Sequence, residues 1–235
     1  MAERRLSAVR SLAQTVGGHA DMIRLCVICE GQTESDFVRS CLQQDLWCHG
    51  VSVYPSTLKT KPGKQGGGDV TLERLATHIR NEYPNADYIT TLVDYYGFRN
   101  RGDRSVEQLE AAILAAALKQ RPEAQERRIL PYVQRHEFEA LLFSNINEFR
   151  WVLDGWNQTT QAALAKIAAS FPNPEDINDS PTTAPSKRLE ALFAHAYSKR
   201  EHGPLIAEEI GLVTIRQHCP RFNRWLDRLA ALSSS

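Results

Sequence analysis

Short apolar blocks alternate along the chain with stripes of helical spacing. Residues 22–29, MIRLCVIC, are an almost unbroken apolar run and predict a central strand. The run stops at Glu30-Gly31-Gln32-Thr33-Glu34, where Gly31 permits a sharp turn. Thr33 followed by Asp36 reads as a capping pair. The helix it starts is expected to reach about Trp47, with Phe37, Val38, Cys41, Leu42 and Leu46 on one face. Residues 51–55 predict a second strand, and Asp69 a cap for a helix over about 70–82. The most strand-like run, DYITTLV at 87–93, delivers Asp94 at its end. An Ala-rich helix at 105–119 follows, then a strand, RILPYVQ, and a helix opening near His136 with HEFEALLF. From about residue 145 onward the pattern is helices joined by polar loops.

This β-α-β-α-β-α-β-α order predicts an α/β fold, with a parallel or mixed sheet of about four strands and helices on both faces. The expected divisions are a weakly ordered or helical extension at 1–21, an α/β core at 22–145 and a helical C-terminal region at 146–235. The first 21 residues lack the apolar segment of a signal peptide, and Met22 is an alternative natural start. No apolar run is long enough to span a bilayer, so no membrane partner is expected.

Composition adds little. The chain is 42% hydrophobic, and its 28 Lys+Arg balance its 28 Asp+Glu, so any nucleic-acid role must come from local patches. Five cysteines, an odd number, without a secretory signal fit a reducing compartment, and the cytoplasm is the expected location. Cys26 and Cys29 form a C-x-x-C, but inside a buried strand they read as small core residues.

Strand ends carry the candidate chemistry. Glu30 and Asp94 each follow an apolar strand directly, where a carboxylate is costly unless paired, hydrogen-bonded or metal-bound. Mg²⁺ takes such hard oxygen ligands and keeps several waters, so few carboxylates suffice. A helix-capping or ion-paired Glu30 is the plainer alternative. Glu137 and Glu139 lie two positions apart, which on an α-helix turns them to opposite sides and leaves one to face a site. His136 is a candidate acid or base, with a capping role as the plainer reading. Lys59, Lys61 and Lys64 in KTKPGKQGGG, and Lys187 and Arg188 at a helix start, are candidate phosphate contacts.

Four segments in order then carry a resemblance: EGQTE at 30–34, TTLVDYYGF at 90–98, PYVQRHEFEALLF at 131–143 and PEDINDSPTTAPSKRL at 174–189. With IRQHCPRFNRWLDRL at 215–229, they resemble the bacterial family known as domain of unknown function 4276. The resemblance implies a Toprim-like Rossmannoid sheet, with Glu30 as the Glu after the first strand and Asp94 as the first Asp of a D-x-D that binds Mg²⁺ or Mn²⁺. Tyr96 replaces the second Asp, so Glu137 or Glu139 is expected to complete the site. It also implies a nearby AAA, ABC or SMC-like partner ATPase, as in anti-phage defence or DNA maintenance. Two functions stay open: metal-dependent phosphodiester cleavage of nucleic acid, and a non-catalytic nucleic-acid-binding or ATPase-docking subunit. Homo-oligomerisation is left open too.

Overall fold

The computed structural model describes residues 22–58, 70–99, 101–178, 180 and 182–234. Lys59, Lys61 and Lys64, Asp69 and the 1–21 extension lie outside the described residues. Strand β1 (Ile23–Cys29) leads into α1 (Gln32–Phe37), which passes through a π-helical turn (Val38–Leu42) into α2 (Gln43–Trp47). Strand β2 (Val51–Thr57), helix α3 (Leu72–Glu82), strand β3 (Tyr88–Asp94) and helix α4 (Val106–Gln120) follow. Two short strands, β4 (Ile129–Leu130) and β5 (Val133–Gln134), complete the sheet. The remainder comprises α5 (Gln158–Ala169), α6 (Pro185–Phe193), α7 (Lys199–Ile210), α8 (Leu212–His218) and α9 (Pro220–Ala230), with short 3₁₀ turns between them.

All described pairings are parallel, in the order β2-β1-β3-β4, with β5 also on β3. β1 and β3 are buried on both faces, which explains their continuous apolar runs. One apolar layer joins Cys26, Ile28, Ile89 and Val93 to α3 and α4. The other joins Leu25, Val27, Cys29 and Leu92 to α1, α2 and the C-terminal helices through Phe37, Phe138, Phe222 and Trp225. Helices therefore cover both faces, as the alternating pattern predicts. Cys26 and Cys29 are fully buried, one in each layer, and burial holds the Cys26 thiol up at about 12.

The predicted fourth strand is split at Pro131, which has no N–H to give the ladder. The side chain of Thr91 fills the gap, donating to the Tyr132 carbonyl at 2.7 Å and accepting from its N–H at 2.9 Å. Register is kept across the break, with Ile89 opposite Ile129 and Val93 opposite Val133. The sheet thus has five strands rather than about four. Thr90 and Trp225 tie α9 to the sheet, the indole N–H donating to the hydroxyl at 2.9 Å.

Two helix starts differ from expectation. Glu34, not Asp36, closes the α1 start, its carboxylate accepting from Gly31 N–H at 2.9 Å. Thr71 caps α3, accepting from Arg74 N–H at 3.2 Å. HEFEALLF is also not an α-helix. His136 has a positive φ of 63°, Glu137 is extended, and Phe138–Ser144 form a 3₁₀ helix. The i, i+3, i+4 spacing of Phe138, Leu141 and Leu142 suits either helix type, so the pattern could not separate them.

Candidate metal and phosphate site

The chain runs from β1 to β2 on one side and crosses back to β3 on the other. The switch point therefore lies between the carboxyl ends of β1 and β3. In doubly wound sheets this crevice is where ligands bind. Glu30 leaves β1 here and Asp94 closes β3. They meet: Glu30 N–H donates to the Leu92 carbonyl, and Asp94 N–H donates to the Glu30 carboxylate, each at 3.3 Å. Gly97 permits this approach, because a Cβ there would fall 2.2 Å from Glu30 Oε2.

Two further carboxylates, Glu34 and Glu139, join Asp94 around one ammonium. Lys199 Nζ lies 3.1 Å from Asp94 Oδ2, 3.1 Å from Glu139 Oε2 and 3.9 Å from Glu34 Oε1. Asp94 Oδ1 accepts from Phe138 N–H at 2.8 Å. Glu139 is 0% exposed, and neither of its oxygens has a well-directed hydrogen bond despite the nearby ammonium. Burial, then the charges of Asp94 and Glu34, push Glu30 up to about 8. Burial also lifts Glu139 to about 7, against the pull of Lys199, and raises Glu34. For Lys199 burial works downward, but the carboxylates of Asp94, Glu139, Glu34 and Glu30 outweigh it and hold the ammonium well above its ordinary value. Its side chain is 40% exposed, which places it at the mouth of the cluster.

Lys199 comes from α7, 105 positions from Asp94, and nothing in its sequence surroundings marks it. Gly203, one helical turn later, explains its placement. A Cβ there would lie 3.1 Å from Thr33 Cγ2 and 3.4 Å from a Phe138 ring carbon, so the glycine lets α7 pack closely on α1.

The other expected site residues are held elsewhere. Glu137 does not join the ion-pair cluster: its carboxylate accepts from Ser186 N–H at 2.8 Å at the start of α6. His136 stacks on Tyr96, with centroids 5.6 Å apart, and its Nδ1 is buried without a partner. Burial, then Arg135, lowers its pKa to about 4, so it is neutral at physiological pH. Lys187 pairs with Glu190 at 2.7 Å. Arg188 donates to the Thr183 carbonyl at 2.7 Å and lies over the Phe171 ring. Tyr96, where the resemblance places a second Asp, meets the Asn178 amide through its hydroxyl. The three loop lysines fall outside the described residues.

Among the described residues no three His, Cys, Asp or Glu side chains enclose a common point as a metal cage. The carboxylates of Glu34, Asp94 and Glu139 point at Lys199 rather than at one another, and that of Glu30 meets Asp94 N–H. Donor type and charge nevertheless suit a hard divalent cation, since three carboxylates face one ammonium, Glu30 adjoins them through Asp94 N–H, and Glu139 keeps unsatisfied lone pairs. A cavity of about 630 Å³ between Phe143, Phe171 and His218 is lined by none of these residues.

The model of a protein family, described as domain of unknown function (DUF4276), matches residues 29–230. The chain belongs to that family. Glu30, Glu34, Asp94, Glu139 and Lys199 all lie inside the DUF4276 match. No curated protein matches the sequence. Among solved structures, this DUF4276 chain is similar to the C-terminal region of the Burkholderia pseudomallei OLD protein, at 16% identity and a TM-score of 0.47 over 88% of this chain and 98% of that one. It is also similar to the C-terminal region of the Xanthomonas campestris pv. campestris OLD protein, at 16% identity and a TM-score of 0.41 over 91% and 97% of the two chains. At these scores neither likeness carries an argument about what the chain does. No described helix is long and apolar enough to cross a membrane.

Proposed function

We propose that this chain carries out metal-dependent phosphodiester cleavage of nucleic acid at the carboxyl ends of β1 and β3. The observation that carries the reading is the meeting of Glu30 and Asp94 at the switch point, with Glu34 and Glu139 gathered on the same Lys199. A buried excess of carboxylates is costly to the fold, and such groups concentrate at functional sites. Glu30, Asp94 and Glu139 would hold a Mg²⁺ or Mn²⁺ ion. Of Glu137 and Glu139, it is Glu139 that would complete the site, since the Glu137 carboxylate caps α6. When bound, the ion supplies charge at the phosphoryl oxygen and lowers the pKa of a coordinated water. Phe138 N–H orients Asp94, and Gly97 leaves room for Glu30. Lys199 partly offsets the negative charge of the cluster in the metal-free protein and supplies a positive charge at the mouth for an incoming phosphate. His136, neutral and half-buried against Tyr96, is a poor proton donor at physiological pH and serves to fix that ring.

A second reading is a non-catalytic nucleic-acid-binding or ATPase-docking subunit. Two observations favour it: Lys199 already occupies the middle of the carboxylates, and Tyr96 stands where a further acid is expected. The partner ATPase and the role in anti-phage defence rest on the family resemblance and form part of the same proposal. The decisive assay incubates the purified chain, alone and with the neighbouring ATPase, with DNA and RNA in Mg²⁺, Mn²⁺ or EDTA. Cleavage that needs the metal and is lost in Glu30→Gln supports the nuclease. Binding without cleavage under every condition supports the second reading.

A further inference from the structure

Lys187 and Arg188 are engaged by the protein itself, and Lys199 is surrounded by carboxylates, so the site needs another cation for a strand's phosphates. Arg101 has the required properties. Its guanidinium lies over two rings at once, 4.9 Å from the centroid of Tyr95 and 5.0 Å from that of Tyr96. These tyrosines directly follow Asp94 at the carboxyl edge of the sheet. Both rings are anchored. The Tyr95 hydroxyl donates to the Arg104 carbonyl at 2.9 Å, while Tyr96 meets the Asn178 amide and stacks on His136. The Arg101 carbonyl accepts from Arg104 N–H, which fixes the turn beneath it. Arg101 is half-exposed and forms no ion pair with a described carboxylate.

We infer that Arg101, held on the Tyr95–Tyr96 platform, binds a backbone phosphate of the nucleic acid and positions the strand over the acidic cluster. The inference rests on the nucleic-acid reading above and names the group that delivers the substrate. A planar guanidinium braced on aromatic faces loses little freedom on binding and can donate two parallel hydrogen bonds to one phosphate. It would also offset the repulsion that a polyanion meets from four nearby carboxylates.

The test is binding in EDTA, measured by fluorescence anisotropy against salt, with labelled single-stranded and duplex DNA and RNA of about 20 nucleotides. Arg101→Ala is expected to weaken binding about tenfold and to lower the salt slope by about 0.7 for a single strand or about 0.9 for a duplex. Arg101→Lys is expected to keep the slope but to bind severalfold more weakly, because an ammonium neither stacks nor forks. Arg127→Ala removes the same charge from an exposed turn before β4, at the opposite end of the strands, and should change neither quantity. Unchanged binding in Arg101→Ala, an equal loss in Arg127→Ala, or a parent that binds no strand overturns the inference. Cleavage by the parent is scored separately. Cleavage with normal binding by Arg101→Ala sinks this inference alone, and an Arg101-dependent affinity without cleavage sinks the nuclease alone.

Discussion

Two charged clusters of this fold each hold a fully buried carboxylate, and they are built on opposite plans. Around Glu175 and Arg221 every charge is answered. The Glu175 carboxylate is 2% exposed and accepts from Arg221 N–H at 2.7 Å and Phe222 N–H at 3.0 Å, capping α9. The Arg221 guanidinium donates to the Val133 carbonyl, pairs with Glu110 and lies over Tyr132. Around Lys199, three carboxylates share one ammonium, a fourth from Glu30 lies against Asp94 N–H, and Glu139 is left without a well-directed hydrogen bond. The first cluster closes backbone donors that would otherwise be orphaned, which is architecture. The second holds negative charge in excess, which the fold does not need and a cation does. Buried charge alone does not mark a site. Unbalanced buried charge at a switch point does.

Removing one member from each cluster should therefore have different consequences. The largest effect on stability is expected from Glu175→Ala, which strands two backbone donors at the start of α9 beneath a buried side chain. A loss of about 3–5 kcal/mol, read by urea unfolding, should be insensitive to divalent cations. A loss below about 1 kcal/mol would mean that this network is ornamental and that the contrast is false.

Next comes pH. Glu30 and Glu139 have folded values of about 8 and about 7, above the ordinary 4.5, so the folded state holds more protons than the unfolded one between those limits. Their contribution is present in full below the unfolded value and is lost as pH rises through 7 and then 8. The metal-free protein should thus lose several kcal/mol, at roughly 1.4 kcal/mol per pK unit crossed, between pH 5 and pH 8.5. Millimolar Mg²⁺ should recover part of that loss. A metal-free stability that rises over this window would show the carboxylates to be adequately paired.

A smaller effect is expected from Lys199→Met. Its half-exposed position limits the cost to about 1–3 kcal/mol at pH 8. The deficit should shrink at pH 5, where the carboxylates take up protons, and again when Mn²⁺ is added at pH 8. A deficit equal at both pH values and blind to metal would make Lys199 an ordinary packing residue.

Much of this architecture was legible in the hydrophobic pattern, because a parallel sheet buried on both faces writes continuous apolar runs such as those of β1 and β3. Glu30 and Asp94 were legible for the same reason: an acid closing such a run stands at a strand's carboxyl end. The rest depended on contacts that sequence spacing does not encode. Lys199 reaches Asp94 across 105 positions, through the close packing that Gly203 allows between α7 and α1. Glu137 and Glu139 were read on an α-helix, whereas the positive φ of His136 sets them on an extended residue and a 3₁₀ turn. Lys187 and Arg188 looked free in sequence because Glu190, Thr183 and Phe171 engage them only in the fold. Arg101 drew no notice, since its aromatic platform forms only when the chain turns after β3.

The central claim is that the acidic cluster at the ends of β1 and β3 holds a divalent cation. Asp94→Asn tests it most directly. The substitution keeps the size of the side chain and an oxygen able to accept from Phe138 N–H, while removing one of the converging charges. Thermal unfolding of parent and variant is followed at pH 8 over a titration of Mg²⁺ and Mn²⁺. The parent's melting temperature should rise with metal, by linkage, and the variant's should not. Without metal the variant should melt at or above the parent, because it relieves repulsion among the carboxylates. A parent whose melting temperature ignores millimolar Mg²⁺ and Mn²⁺, together with a variant destabilised by about 3–5 kcal/mol, would contradict the account and make Asp94 a structural partner of Lys199.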